Sequence, residues 1–357
     1  MDNALQSILE LSRDPFLAVS EGKIRMMNAV ARQTFPGFRV GDSAGELIPE
    51  LIAFEASDQF ISAAMICGVR YTVSACRCDG LLYLTLIADP SAVENRGFFS
   101  EKQVSGLLST LFNVGMSAER LRSLLPADGD ADKTLSILFH NYYLLVRRLS
   151  NLSLLCAFND GSLEINFHHF DLVQLCADLV SSTRLLLRGG YAPLEFTTEL
   201  QSLPTCMDAP KIERLILNLL ANSLLHTPKD GLVRLKLSKS GSNALISVSD
   251  NGEGIPSPQL KTVFNSFRNR FELNAQRADM DGGIGLGLCR AIAEKHGGTL
   301  ILESREGEGT DVRVLLPLSP PGKVNLMSDA PDYENGGMAL LFTELSGLLD
   351  SSAYTSN

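Results

Sequence analysis

The chain has 357 residues, a formal net charge of −10 and a pI near 5.1, with 45% hydrophobic and 20% charged residues. This length suffices for about two domains with separate cores, and the acidity excludes a nucleic-acid binder, whose phosphate contacts need a basic face. No run of 18 apolar residues occurs, and the amino terminus lacks a basic-then-apolar leader, so a cytoplasmic protein without a membrane span is expected.

Residues 1–92 open with an expected helix, followed by Pro15-Phe-Leu-Ala-Val19, a turn at Glu21-Gly22, Lys23-Ile-Arg-Met-Met-Asn28 and a second helix. Further on, Val69–Cys76 and Leu81–Ile87 flank Asp79-Gly80, a hairpin signal. Seven cysteines stand at irregular positions, the nearest pair being Cys76-Arg-Cys78. That spacing matches no metal motif and suits reduced thiols.

Residues 93–160 change to a heptad. Val104, Leu107, Leu111, Val114, Ala118, Leu121 and Leu125 alternate steps of three and four, the seam of a coiled coil or bundle. Pro126-Ala-Asp-Gly-Asp130 breaks the helix, and a second seam runs through Leu135, Leu138, Tyr142, Leu145, Leu149 and Leu152. Two such hairpins would make a four-helix dimer. His140, two residues past Leu138, is placed by this register on the solvent side.

Residues 161–318 carry the chemistry. The Lys211–Thr227 helix is apolar nearly all round, and Asn218 and Asn222 lie four apart on one face. Amide oxygens so placed suit a hard cation and, through it, phosphate; the plain alternative is a pair of amides bonded to neighbouring backbone. In Ile246-Ser-Val-Ser-Asp250 the period of two puts the Asp250 carboxylate on the apolar face, where it needs a partner. Gly252 and Gly254 then permit a sharp turn close to a ligand. The cluster Gly283-Ile-Gly285-Leu286-Gly287-Leu288 leads into a helix whose start favours anionic phosphate. Together these features imply a nucleotide pocket. Residues 265–282, with Arg268, Arg270 and Arg277, read as a lid over it or as a solvated loop. Residues 319–357 form a polar linker and a short amphipathic helix, Met338–Leu349, with Leu341, Leu345 and Leu348 on one side, to dock on the body or bind a partner.

These motifs resemble those of the sensor histidine kinases, whose GHKL (Bergerat) ATP-binding domain also occurs in gyrase, heat-shock chaperones and mismatch-repair ATPases. Asn218-x-x-x-Asn222 is similar to the asparagine box, Asp250-x-Gly252-x-Gly254 to the first glycine box and Phe264-Asn-Ser-Phe267 to the phenylalanine box. Gly283-x-Gly285-Leu286-Gly287-Leu288 is similar to the second glycine box, and Gly307-Glu-Gly309-Thr310 to the closing motif. The resemblance implies an α+β multidomain chain with a PAS-like sensor, a helical-hairpin dimerisation region and an α/β-sandwich ATPase domain. It implies ATP and Mg²⁺ as cofactors, with Asp250 accepting from the adenine amino group, Asn222 holding the magnesium, and Asn218, His226 and Thr310 beside the nucleotide. It also implies a homodimer that phosphorylates a histidine and passes the group to a response regulator.

The chain departs from this pattern at two places. The first hairpin helix has Ser105-Gly106-Leu107-Leu108 where the family carries its phosphoacceptor histidine, and Leu225 stands where many members have a lysine. His140 is the only imidazole in the hairpin. Two readings therefore stand: a histidine kinase, or an ATP-gated dimeric pseudokinase that scaffolds without autophosphorylation. Phosphorylation of a partner's serine is a third.

Overall fold

A computed structural model describes residues 14–48, 59–67, 69–78, 80–88, 101–124, 130–187, 190–256, 260, 284–319 and 340–354. The expected first helix, Asp79, Leu125 to Gly129, Phe264, the segment 265–282 and Gly283 lie outside the described residues.

Strands β1 (Phe16–Ser20), β2 (Lys23–Met27), β3 (Gln59–Ile66), β4 (Val69–Cys78) and β5 (Leu81–Ala88) form an antiparallel array in the order β2-β1-β5-β4-β3. Glu21 and Gly22 both take positive φ, 52° and 69°, the paired left-handed residues that a tight hairpin needs. Asn28 then starts α1 (Ala29–Thr34). Its Oδ1 accepts from Ala31 N at 2.8 Å and from Phe16 N at 3.0 Å, and its Nδ2 donates to Asp14 O at 2.9 Å. One buried side chain thus caps a helix and ties two strands. Leu17, Ile24, Val73, Leu84 and Leu86 are fully enclosed in this unit's core.

Helices α2 (Ala44–Leu47), α3 (Glu101–Leu124) and α4 (Asp130–Asn159) follow. Gly115 lets α3 approach α4 closely: a Cβ there would lie 2.5 Å from the Tyr142 ring. The second heptad seam is buried at Leu135 and Leu152, while its members Leu138 and Leu145 are 38% and 48% exposed and Phe139, Val146 and Leu155 beside it are buried. The reason is that α4 has a second neighbour, the ATPase unit, which takes the face next to the expected seam. The same turn carries His140 off the solvent side. It is half-buried, with its ring edge-on to Tyr354 at 5.9 Å.

The carboxy-terminal unit contains a short ladder, β6 (His168–Asp171) with β8 (Pro204–Met207), and helices α5 (Leu172–Leu187), α6 (Ala209–His226) and α7 (Ile284–Lys295). Its main sheet has β7 (Leu194–Thr198), β9 (Val233–Ser240), β10 (Asn243–Asp250), β11 (Thr299–Arg305) and β12 (Gly309–Pro317) in the order β11-β12-β10-β9-β7, with β7 parallel to β9. Helix α6 starts where Asp208 accepts from Lys211 N at 3.2 Å, with Pro210 in the first turn. His296 follows the end of α7: its Nδ1 lies 2.8 Å from Ile292 O and its Nε2 accepts from Asp208 N at 3.1 Å. Burial holds its pKa below the ordinary value, so the ring stays neutral with Nδ1 as donor and ties the end of α7 to the start of α6.

The two cores are distinct clusters, but one sheet runs through both units. β3 pairs antiparallel with β11, Ser62 opposite Ile301 and Ile61 opposite Leu302, and Ile301 is buried among the amino-terminal core residues. The result is one ten-stranded sheet.

Candidate functional site

The site lies where β10 ends beside α6. Ile246 and Val248 are fully buried, and the same parity brings Asp250 to the sheet end with its carboxylate half-buried. Asp250 Oδ1 accepts from Gly252 N at 3.0 Å and from Thr310 N at 3.1 Å. Burial raises its pKa above the ordinary 3.8, while the hydrogen bonds from Gly252, Ser223 and Thr310 oppose that rise. Such bonds fix the carboxylate's direction, which a group reading one edge of a flat ligand requires.

The glycines are set by contact. A Cβ on Gly252 would lie 2.2 Å from His226 O, and one on Gly309, at φ +110°, would lie 2.0 Å from Asp250 O. A Cβ on Gly254, at φ +65°, would lie 2.0 Å from Arg305 O. The turn is pinned further by Glu253 N to His226 O at 3.1 Å, Gly307 N to Glu253 O at 2.7 Å and Ile255 N to Ser304 Oγ at 2.8 Å. Thr310 Oγ1 lies 2.9 Å from Ser304 Oγ. The first glycine box, the closing motif and the end of α6 are therefore one knot.

The second glycine box meets the asparagine helix. A Cβ on Gly285 would sit 3.0 Å from Asn218 Oδ1 and 3.6 Å from Asn222 Nδ2, so the start of α7 runs against both amides. Gly287 has open space around it, Leu286 is half-buried and Leu288 is buried. The two asparagines differ. Asn222 is half-buried, whereas Asn218 is completely enclosed, its Nδ2 donating to Arg214 O at 3.0 Å and to Glu344 Oε2 at 2.8 Å. His226 Nδ1 lies 2.6 Å from Glu253 Oε1, and Leu225 is 38% exposed. Phe264 and Gly283 lie outside the described residues.

Sequence reasoning missed Glu344, Arg147 and Arg214. Their only signal is charge on otherwise apolar helix faces, and a lone charge does not name its partner.

The fold and this knot define a class of nucleotide-binding domain. Residues 207–320 match the histidine kinase-, DNA gyrase B- and HSP90-like ATPase family. The chain is 28% identical over 287 residues to the alginate biosynthesis sensor protein KinB of Pseudomonas aeruginosa, covering 78% of this chain and 46% of that protein. It is 29% identical over 234 residues to the adaptive-response sensory kinase SasA of Thermosynechococcus vestitus, covering 62% and 60%. Among solved structures, full-length ShkA in complex with AMPPNP shares the fold at a TM-score of 0.52, 16% identity, and 63% coverage of this chain against 47% of that one. Residues 207–320 thus belong to that ATPase family, and the chain is similar to sensor histidine kinases over the stretches given. It spans less than two thirds of the length of these curated relatives. Among the described residues no helix is long and apolar enough to cross a membrane.

Proposed function

We propose that the chain binds Mg-ATP between α6, the end of β10 and the start of α7, and acts as the kinase of a two-component pair, moving the γ-phosphate to a histidine and on to a response regulator. The observation that carries this reading is the convergence of Asp250, Thr310 and Gly252 at Ser223 of α6, with Gly285 against Asn222 and Asn218 of the same helix. An adenine amino group would donate to Asp250. Asn222 and the phosphate oxygens would hold Mg²⁺, a hard cation that keeps several waters and accepts one or two protein ligands. The phosphate chain would follow the α7 amides. ATP with magnesium supplies the transferable phosphoryl group, and the protein's part is positioning and charge stabilisation.

The amino-terminal unit is read as a PAS-like sensor, supported by its strand order and the Asn28 cap, and α3 with α4 as the dimerising hairpin, supported by the exposed stripe Leu107, Val114, Leu121, Leu138 and Leu145. Since α3 has no histidine, an acceptor within the described helix pair would have to be His140. Titration calorimetry tests the nucleotide site. Asp250→Asn is expected to weaken Mg-ATP binding at least about tenfold, ~1.4 kcal/mol, because an amide cannot both accept as Asp250 does and keep its backbone contacts. Wild-type affinity in that variant overturns the assignment. Acid-labile label from γ-labelled ATP, lost in His140→Ala, is expected of a kinase; no label in the wild type favours the pseudokinase.

A further inference from the structure

The carboxy-terminal segment 340–354 is set into the seam between the helix pair and the ATPase unit. Leu341, Leu345, Leu348 and Leu349 are buried in the core that α6 and α7 share. Glu344 is fully enclosed: Arg214 Nε reaches its Oε1 at 2.7 Å, Arg147 Nε reaches its Oε2 at 3.4 Å, and Asn218 Nδ2 donates to Oε2 at 2.8 Å. Asn151 Nδ2 of α4 lies 3.5 Å from Asn218 Oδ1 on the other side. One carboxylate therefore joins α4, α6 and the asparagine box. At the far end Tyr354 stacks on Tyr143 at 5.2 Å and meets the His140 ring edge-on at 5.9 Å, while Arg122 of α3 donates to its carbonyl. His140 Nδ1 is enclosed and has no hydrogen-bond partner among the described residues.

A buried ion cluster is a poor choice for stability alone, since desolvating three charges offsets most of their attraction and apolar replacements are often as good. It is well suited to fixing one arrangement, because the buried charge is offset only when Arg147 and Arg214, with the Asn218 amide, are all in place. We propose that residues 340–354 are an intramolecular clamp, keyed by Glu344 and closed by Tyr354, that locks the ATPase unit onto the helix pair and covers His140. The clamp would have to leave before the two units could move or that imidazole could react. Burial raises the Glu344 pKa while both guanidinium groups oppose the rise, as expected of a group held by geometry at an electrostatic cost.

The inference rests on the kinase reading for its consequence but not for its geometry, and the test separates them. In the full chain, Glu344→Gln keeps the side chain's shape and removes its charge, and Tyr354→Ala opens only the far end. Both are expected to speed hydrogen exchange of residues 340–354 and diethylpyrocarbonate modification of His140, by about tenfold or more if the ion cluster is the key. Neither readout needs nucleotide. Unchanged modification of His140 in both variants overturns the clamp, as does a wild-type rate equal to that of free imidazole. Should Glu344→Gln fail to fold, the Tyr354→Ala result decides. In a competent kinase the same variants raise labelling from γ-labelled ATP, and His140→Ala abolishes the increase. Faster modification without Mg-ATP binding in any variant keeps the clamp and removes the kinase reading.

Discussion

Asp250 was legible before any coordinates because alternation is a local property. A strand of known parity places its fifth residue, and the glycines after it mark a backbone that must pass close to something. Glu344 was not legible. Its partners are 197 and 130 positions away, at Arg147 and Arg214, and nothing in a helix-period pattern joins points so distant. Glu213 makes a related point about magnitude. It is buried in α6, and desolvation pushes its carboxyl from the ordinary 4.5 up to about 7. A carboxyl whose folded pKa is raised binds protons on folding between those two values, so its contribution to stability falls as pH rises through that window. Replacing it by an amide removes the penalty. Glu213→Gln is expected to stabilise the protein by roughly 2–3 kcal/mol at pH 8 and hardly at all at pH 4, measured by urea unfolding at both values. An equal gain at both pH values would mean the carboxyl is not the source.

Among the elements, α3 and α4 carry two apolar faces where the heptad reading allowed one. Their existence and approximate bounds followed from a period of 3.5. The choice of buried face did not, since a pattern rich in leucine on both sides cannot say which side meets the ATPase unit. Phe139, Val146 and Leu155 turn inward, and Leu107, Val114, Leu121, Leu138 and Leu145 are left outside. A row of that kind along a helix pair is larger than the isolated apolar residues usual on a monomer, and a second copy would cover it. Leu138→Glu with Leu145→Glu is expected to convert a dimer to a monomer in light scattering while leaving the melting of the ATPase unit unchanged. A dimer that survives both charges would place the association elsewhere.

For the whole molecule, the ATPase family match at residues 207–320 was readable from motif order. The continuous sheet was not, because strand pairing between units depends on edges that no periodicity reports. The β3–β11 junction has few rungs, Ser62 to Ile301 and Ile61 to Leu302, yet Ile301 sits in the amino-terminal core. Ser62→Pro removes an amide donor from the joining strand and is expected to split one calorimetric transition into two, as the units lose their shared strand. A single unchanged transition would mean that the helices, not the sheet, couple the units.

The same junction hides two unsatisfied borders at once. Separate the units and each half offers a bare row of peptide groups to whatever extended chain arrives first, including its counterpart in a neighbouring molecule. Loosening this seam therefore carries a hazard beyond lost communication. The liberated halves would tend to re-pair between molecules, so exchange of units or insoluble material at high concentration is what a weakened seam should produce.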